Sequence, residues 1–235
     1  MSTRTFGARI ERNIDPKLLK GEGAFVDDIP LSGALHAAFT RSVHARARIR
    51  TIDVGAARKH PGIVAVFTCN DIGDLDIEMP LLIPHPSMKH PRTQRPLARD
   101  QVYYIGQTIA MVVAVDRYAA EDAAGLIAVD YEPLDVEIDI EKAVRDGAPL
   151  VHLEVPNNIA AHFVQVSGNP DDAFAKAEHI TRTKVQVDRS TAAPMECRAV
   201  AAIWDEVSGE LTVWDGTQAA FDASGVAHRL RPAHG

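Results

Sequence analysis

A carboxylate, a thiol and an amide stand near one another late in the chain. Glu196 and Cys197 lie in Pro194-Met195-Glu196-Cys197-Arg198, and Gln218 ends Trp214-Asp215-Gly216-Thr217-Gln218. A carboxylate can serve as a general base, and a thiolate can ligate a soft metal. An amide on a loop at a strand end reads first as a hydrogen bonder to nearby backbone. Other groups promise less. His85 and His90 are separated across Pro86, match no helical or strand face and have no third ligand close by, so they read as solvated loop residues rather than a metal site. Gly21-Glu22-Gly23 lacks the third glycine and the preceding buried strand of a phosphate-cradling loop.

The elements that must position these groups can be read from periodicity. Residues 199–204 are apolar on both faces, Asp205-Glu206-Val207-Ser208-Gly209 supplies turn residues, and 211–214 resumes an extended run. This is a β-hairpin, with its first strand expected to be buried on both sides. Upstream, residues 34–43 alternate as a strand, a short helix follows Asp53 and closes at Pro61-Gly62, and residues 63–67 return as a strand. The basic stretch 41–50 is read as the edge of a strand and a loop. Residues 70–99 form a long loop with Pro80, Pro84, Pro86, Pro91 and Pro96. Then come a strand at 102–104, a central strand at 108–115, a helix capped by Asp116 with a small flat alanine face, and a strand at 129–131. Residues 133–160 read as a connector containing a short helix between Asp139 and Gly147. Beyond it lie an extended run at 162–167 and a helix opened by Asn169-Pro170. A long one-face-wet strand is expected over 178–188, and a helix over 221–230.

Composition sets the frame. The 235 residues carry a net charge of −7 with scattered Lys and Arg, which speaks against a nucleic-acid partner. No apolar run approaches a membrane span, and no membrane partner is expected. Cys69 and Cys197 are far apart and form no Cys-x-x-Cys pair, which argues for a reducing, cytoplasmic setting.

Several stretches, taken in series, resemble the large, molybdenum-binding subunit of the xanthine dehydrogenase / aldehyde oxidase / carbon monoxide dehydrogenase family. They include Arg12-Asn13-Ile14-Asp15-Pro16-Lys17-Leu18-Leu19-Lys20-Gly21, Phe25-Val26-Asp27-Asp28-Ile29, Leu35-His36-Ala37-Ala38-Phe39-Thr40-Arg41-Ser42 and Pro61-Gly62-Ile63-Val64-Ala65-Val66. Tyr104-Ile105-Gly106-Gln107, Val129-Asp130-Tyr131-Glu132-Pro133-Leu134, Pro194-Met195-Glu196-Cys197-Arg198-Ala199 and Trp214-Asp215-Gly216-Thr217-Gln218 continue the series. The resemblance implies an α+β chain: an N-terminal α/β hammerhead domain over 1–132, a connector over 133–160 and the start of a molybdopterin-binding α+β domain over 161–235. It implies hydroxylation of aldehydes or N-heterocycles, or CO oxidation, with water as the oxygen source and a glutamate as base. The cofactors implied are molybdenum-molybdopterin, in its plain or cytosine dinucleotide form, with 2Fe-2S and FAD on partner domains or subunits. Gln218 takes the place of a glutamine that holds an oxygen on the metal, a role suited to a neutral amide that does not compete as a ligand.

The departures from the family pattern carry their own expectations. The glycine-rich segment that follows the Thr-Gln pair and the catalytic glutamate beyond it are missing, so the chain is expected to be truncated and its cofactor site partial. The catalytic glutamate is expected beyond the C-terminus. Glu196 lies in the wrong segment for that base and reads as a hydrogen bonder within the sheet; Cys197 reads as a packed thiol. Activity is then expected only when the missing part is supplied, for instance by a complementary C-terminal chain. The alternative is a non-catalytic remnant or subunit-assembly module with a protein-binding role. In either case the open sheet is expected to leave apolar surface and to make the chain prone to associate.

Overall fold

The computed structural model describes residues 7–79, 81, 84–188, 190–191, 193–194, 196–217 and 219. In chain order its helices and strands are α1 (Asp15–Leu19), β1 (His36–Arg41), β2 (Ala47–Asp53), α2 (Gly55–Arg58), β3 (Ile63–Phe67), β4 (Gln101–Val102) and β5 (Thr108–Ala114). They continue as α3 (Arg117–Gly125), β6 (Ala128–Pro133), α4 (Ile140–Ala143), α5 (Pro170–Lys176), β7 (Val200–Asp205) and β8 (Glu210–Asp215). The mixture of helices with antiparallel sheets is the α+β class read from the sequence. Two compact units result, one spanning residues 33–183 and the other drawn from residues 1–32 and 184–235.

In the first unit two three-stranded antiparallel sheets run in the orders β1-β5-β3 and β4-β2-β6. β5 is central and buried on both faces, as its unbroken apolar run predicts. Ala110 and Val112 pack with Ala57, Val66, Ala123, Ala124 and Ile127, while Ile109 packs on the other side with Ala47, Ala98 and Val102. α3 covers β5 with its alanine face, where Ala119, Ala120, Ala123 and Ala124 are all buried. Small side chains let the helix approach the sheet closely. Its start is set as expected: the Asp116 side chain accepts from the Ala119 N–H at 2.9 Å. Asn169 and Asp139 cap α5 and α4 in the same way. The Thr40 hydroxyl donates to the Ala124 carbonyl at 2.7 Å and ties β1 to the end of α3.

Several expectations change. The basic stretch 41–50 begins as expected, with Arg41 ending β1 and residues 42–46 a loop, but residues 47–50 open β2, the middle strand of its sheet. The pairing steps from Ile49–Tyr131 to Thr51–Asp130, so Arg50 is a bulge, and the apolar phase slips from Ala47 and Ile49 to Ile52. The slip hides the strand from a period-two reading. Residues 178–188 form no strand despite their alternation, and all of them are exposed. Alternation marks two faces, but a strand also needs a partner ladder, and among the described residues none pairs with this one. Asp53 precedes α2 rather than capping it directly: its carboxylate accepts from Gly55 N–H at 2.8 Å, with Val54 at the cap position. The run at 162–167 carries no ladder, although its neighbour Ala161 bridges to Met88. The helix expected over 221–230 lies outside the described residues.

Candidate functional site

In the second unit β7 and β8 pair from Val200–Asp215 to Asp205–Glu210. Asp205 builds the turn: its carboxylate accepts from Val207 N–H at 2.8 Å and Ser208 N–H at 3.3 Å. Those backbone donors hold its carboxyl below the usual carboxylate range. Gly209 closes the turn at φ +68°, donating its N–H to the Asp205 carbonyl. The hairpin is where the sequence puts it. Its first strand is not buried on both sides, however: every residue of β7 except Ala201 is exposed.

The candidate site is the open end of this hairpin. Gly216 N–H donates to the Ala199 carbonyl at 3.4 Å, carrying the pairing one step past β8. The half-buried Glu196 then lies against the strand exit, its Oε1 3.3 Å from where a Cβ on residue 216 would stand. A Cβ at 216 would push the carboxylate back by a few tenths of an ångström. The Thr217 hydroxyl oxygen accepts from Ala219 N–H at 3.0 Å and bends the chain immediately afterwards. Gln218 itself lies outside the described residues. The Glu196 carboxylate lies against the backbone of Gly216, and the Thr217 hydroxyl serves its own turn. Cys197 is exposed, not packed as expected. Among the described residues no group of three His, Cys, Asp or Glu side chains could hold a metal ion. None of the helices they form is long and apolar enough to cross a membrane.

The first unit contains a cluster the sequence reading missed. Asp76, whose side chain is 2% exposed, receives Arg99 through Nε at 2.7 Å and through Nη2, with Arg95 Nη1 3.4 Å from its other oxygen. Arg95 also donates to the Asp76 carbonyl. The proline-rich loop is thus folded on a buried carboxylate, and Arg99 is held firmly protonated by it. Cys69 is buried nearby; burial pushes its thiol up, opposed by the Arg99 charge. His85 and His90 do not converge on a ligand site: His85 Nδ1 pairs with the Ser87 hydroxyl at 2.6 Å, and His90 N–H donates to the Ala160 carbonyl. Tyr104-Ile105-Gly106-Gln107 is a tight turn in which Gln107 Oε1 accepts from Tyr103 N–H at 2.8 Å and Gly106 takes φ +88°. On the outer face of β1, Phe39 and Arg41 line an open groove of about 540 Å³ with Val43, Glu121, Val129 and Tyr131.

Comparison with known proteins adds the following. Residues 20–135 match the family model of the aldehyde oxidase and xanthine dehydrogenase a/b hammerhead domain, and residues 151–230 match that of the molybdopterin cofactor-binding domain. The nicotine 6-hydroxylase large subunit of Paenarthrobacter nicotinovorans is 35% identical over 93% of this chain and 26% of its own length. The carbon monoxide dehydrogenase large chain of Afipia carboxidovorans is 37% identical over 91% of this chain and 27% of its own length. In fold, the chain is similar to Cu,Mo-CO dehydrogenase in its carbon monoxide reduced state, with a TM-score of 0.78 and 34% identity over 96% of this chain and 29% of that one. Quinoline 2-oxidoreductase from Pseudomonas putida 86 gives 0.74 and 32% over 90% and 27%. The chain spans about a quarter of the length of the curated relatives it matches.

Proposed function

The chain belongs to the xanthine dehydrogenase and aldehyde oxidase family of molybdenum hydroxylases, and we propose that it acts as the N-terminal part of a molybdenum-binding large subunit. The observation that carries this reading is the succession of the two family matches along one chain. In this reading residues 1–132 are the hammerhead domain, 133–160 the connector and 161–235 the first segment of the molybdopterin-binding domain. The reaction is an oxidation in which water supplies oxygen to an aldehyde or N-heterocycle, or in which CO is oxidised. Relatives acting on nicotine, quinoline and carbon monoxide share the scaffold.

The described residues fit a supporting role toward a molybdenum cofactor. They offer no metal-ligand cluster of their own, and the hairpin exit is shaped by a glycine that a carboxylate covers. Bound there, the cofactor would supply the Lewis acid and accept the substrate's electrons. The chain's part is to hold the exit of β8 so that the Gln218 amide donates a hydrogen bond toward the cofactor while Glu196 steadies Gly216. Electrons would leave through 2Fe-2S and FAD groups on partner subunits or domains.

The test is reconstitution. The chain is produced with the polypeptides encoded beside it, and molybdenum per chain and dye-linked oxidation of an aldehyde, an N-heterocycle and CO are measured. Metal and turnover in the assembled complex support the proposal. A complex that retains this chain but never takes up molybdenum overturns it.

A further inference from the structure

The loop over residues 84–92 does not hang free; it is fastened to residues 150–163 at several points. Met88 bridges to Ala161 in an antiparallel pair, and the N–H groups of Lys89 and His90 both donate to the Ala160 carbonyl, at 3.1 and 3.2 Å. Arg92 is paired at once with Glu154 and, at 3.3 Å, with Glu78. The His85 ring lies 5.0 Å from that of Phe163. Beside these contacts the His152 ring stacks on Tyr103 at 4.4 Å with the planes 32° apart, and Val155 is buried just beyond. The segment itself is stiffened by Asn158, whose amide donates to the Ala143 and Pro149 carbonyls and accepts from Val151 N–H.

We infer that residues 84–92 and 150–163 form an acid-opened clasp whose titrating element is the His152 ring stacked on Tyr103. The charges around that ring are Glu154 on its own segment, Arg92 on the 84–92 loop, Glu78 on the stretch before that loop, and Arg46 just ahead of β2. The two carboxylates favour a protonated ring and the two guanidinium groups oppose it. Burial against Tyr103 exceeds both and draws His152 below its ordinary value of 6.5. The sign follows. The docked ring prefers to be neutral and the released ring titrates normally, so the contribution of docking is complete above 6.5 and is lost as the pH falls through the docked value.

Amide hydrogen exchange of the full chain tests this. The readout is the protection of Lys89 and His90 relative to the β5 amides, corrected for intrinsic rates, at about pH 7.5 and about pH 5. A several-fold loss of relative protection in acid is expected, and it should vanish in His152→Phe, which keeps the ring. Should that variant fail to fold, His152→Gln, neutral throughout, should likewise remove the pH response. Unchanged protection in the wild type overturns the inference. So does an acid response that survives at position 152 but is abolished by His85→Phe, which would move the switch to the Phe163 contact.

Discussion

Asp76 and Arg99 form an ion pair across the neck of the proline-rich loop, the carboxylate buried and the arginine half-exposed, with the guanidinium meeting one carboxylate oxygen through two nitrogens. The buried carboxylate gathers two half-exposed arginines from the far end of the loop, and these charge-assisted contacts specify one arrangement of the chain. Replacing Asp76 by Ala leaves Arg95 and Arg99 without their anchor. The expected outcome is faster tryptic cleavage at Lys89 and Arg92 and a lower melting temperature, with the circular dichroism of the sheets retained. Cleavage at the wild-type rate would show that the pair does not hold the loop.

Gly62 is required where it stands. Its φ is +82°, and a Cβ there would lie 3.1 Å from Val115 Cγ2 and 3.4 Å from the Ala119 Cβ. Gly62→Ala thus meets both a disfavoured backbone and a crowded neighbour at the foot of α3, and a loss of about 1 kcal/mol or more is expected in urea denaturation. Gly106→Ala, with a positive φ but open space around it, should cost less.

Asp116→Ala removes the side-chain acceptor that starts α3. A loss of about 1 kcal/mol is expected, read as a shift in the denaturation midpoint with unchanged slope. Asp116→Asn should recover most of it.

The two thiols should separate in reactivity. Cys197 is exposed, whereas Cys69 is buried with its thiol pushed up, so at a given pH less of it is thiolate. Native chain treated with iodoacetamide near neutral pH should label at Cys197, and Cys69 should react only after unfolding. Equal labelling rates in the native chain would contradict the burial of Cys69.

What the sequence made legible was local. Asp116, Asp139 and Asn169 could be read as caps because a cap and its helix are adjacent, and Gly209 could be read as a turn for the same reason. β2 escaped because one bulged residue, Arg50, shifts its phase, so that arginines on the wet face looked like a basic loop. Residues 178–188 erred in the opposite sense: their alternation is real, but pairing is a property of two segments and cannot be read from one. The clamp on Asp76 joins it to Arg95 and Arg99 across the whole loop, a relationship no spacing rule encodes. At the candidate site, the hairpin and its turn were readable. The closure of Glu196 on Gly216 depends on two strands lying side by side and was not.

The place of β5 between β1 and β3 governs the order in which the first unit can be made. β1 and β3 leave the ribosome long before Thr108–Ala114, yet among the described residues neither has another strand to pair with in its sheet. Until β5 arrives, two short apolar strands and α2 wait without a ladder, and the loop-closure entropy of the intervening segment opposes their docking. Assembly of the sheet is therefore a single late event rather than a stepwise growth. The interval before it, when unpaired edges are open to other chains, is when this protein most needs protection from aggregation.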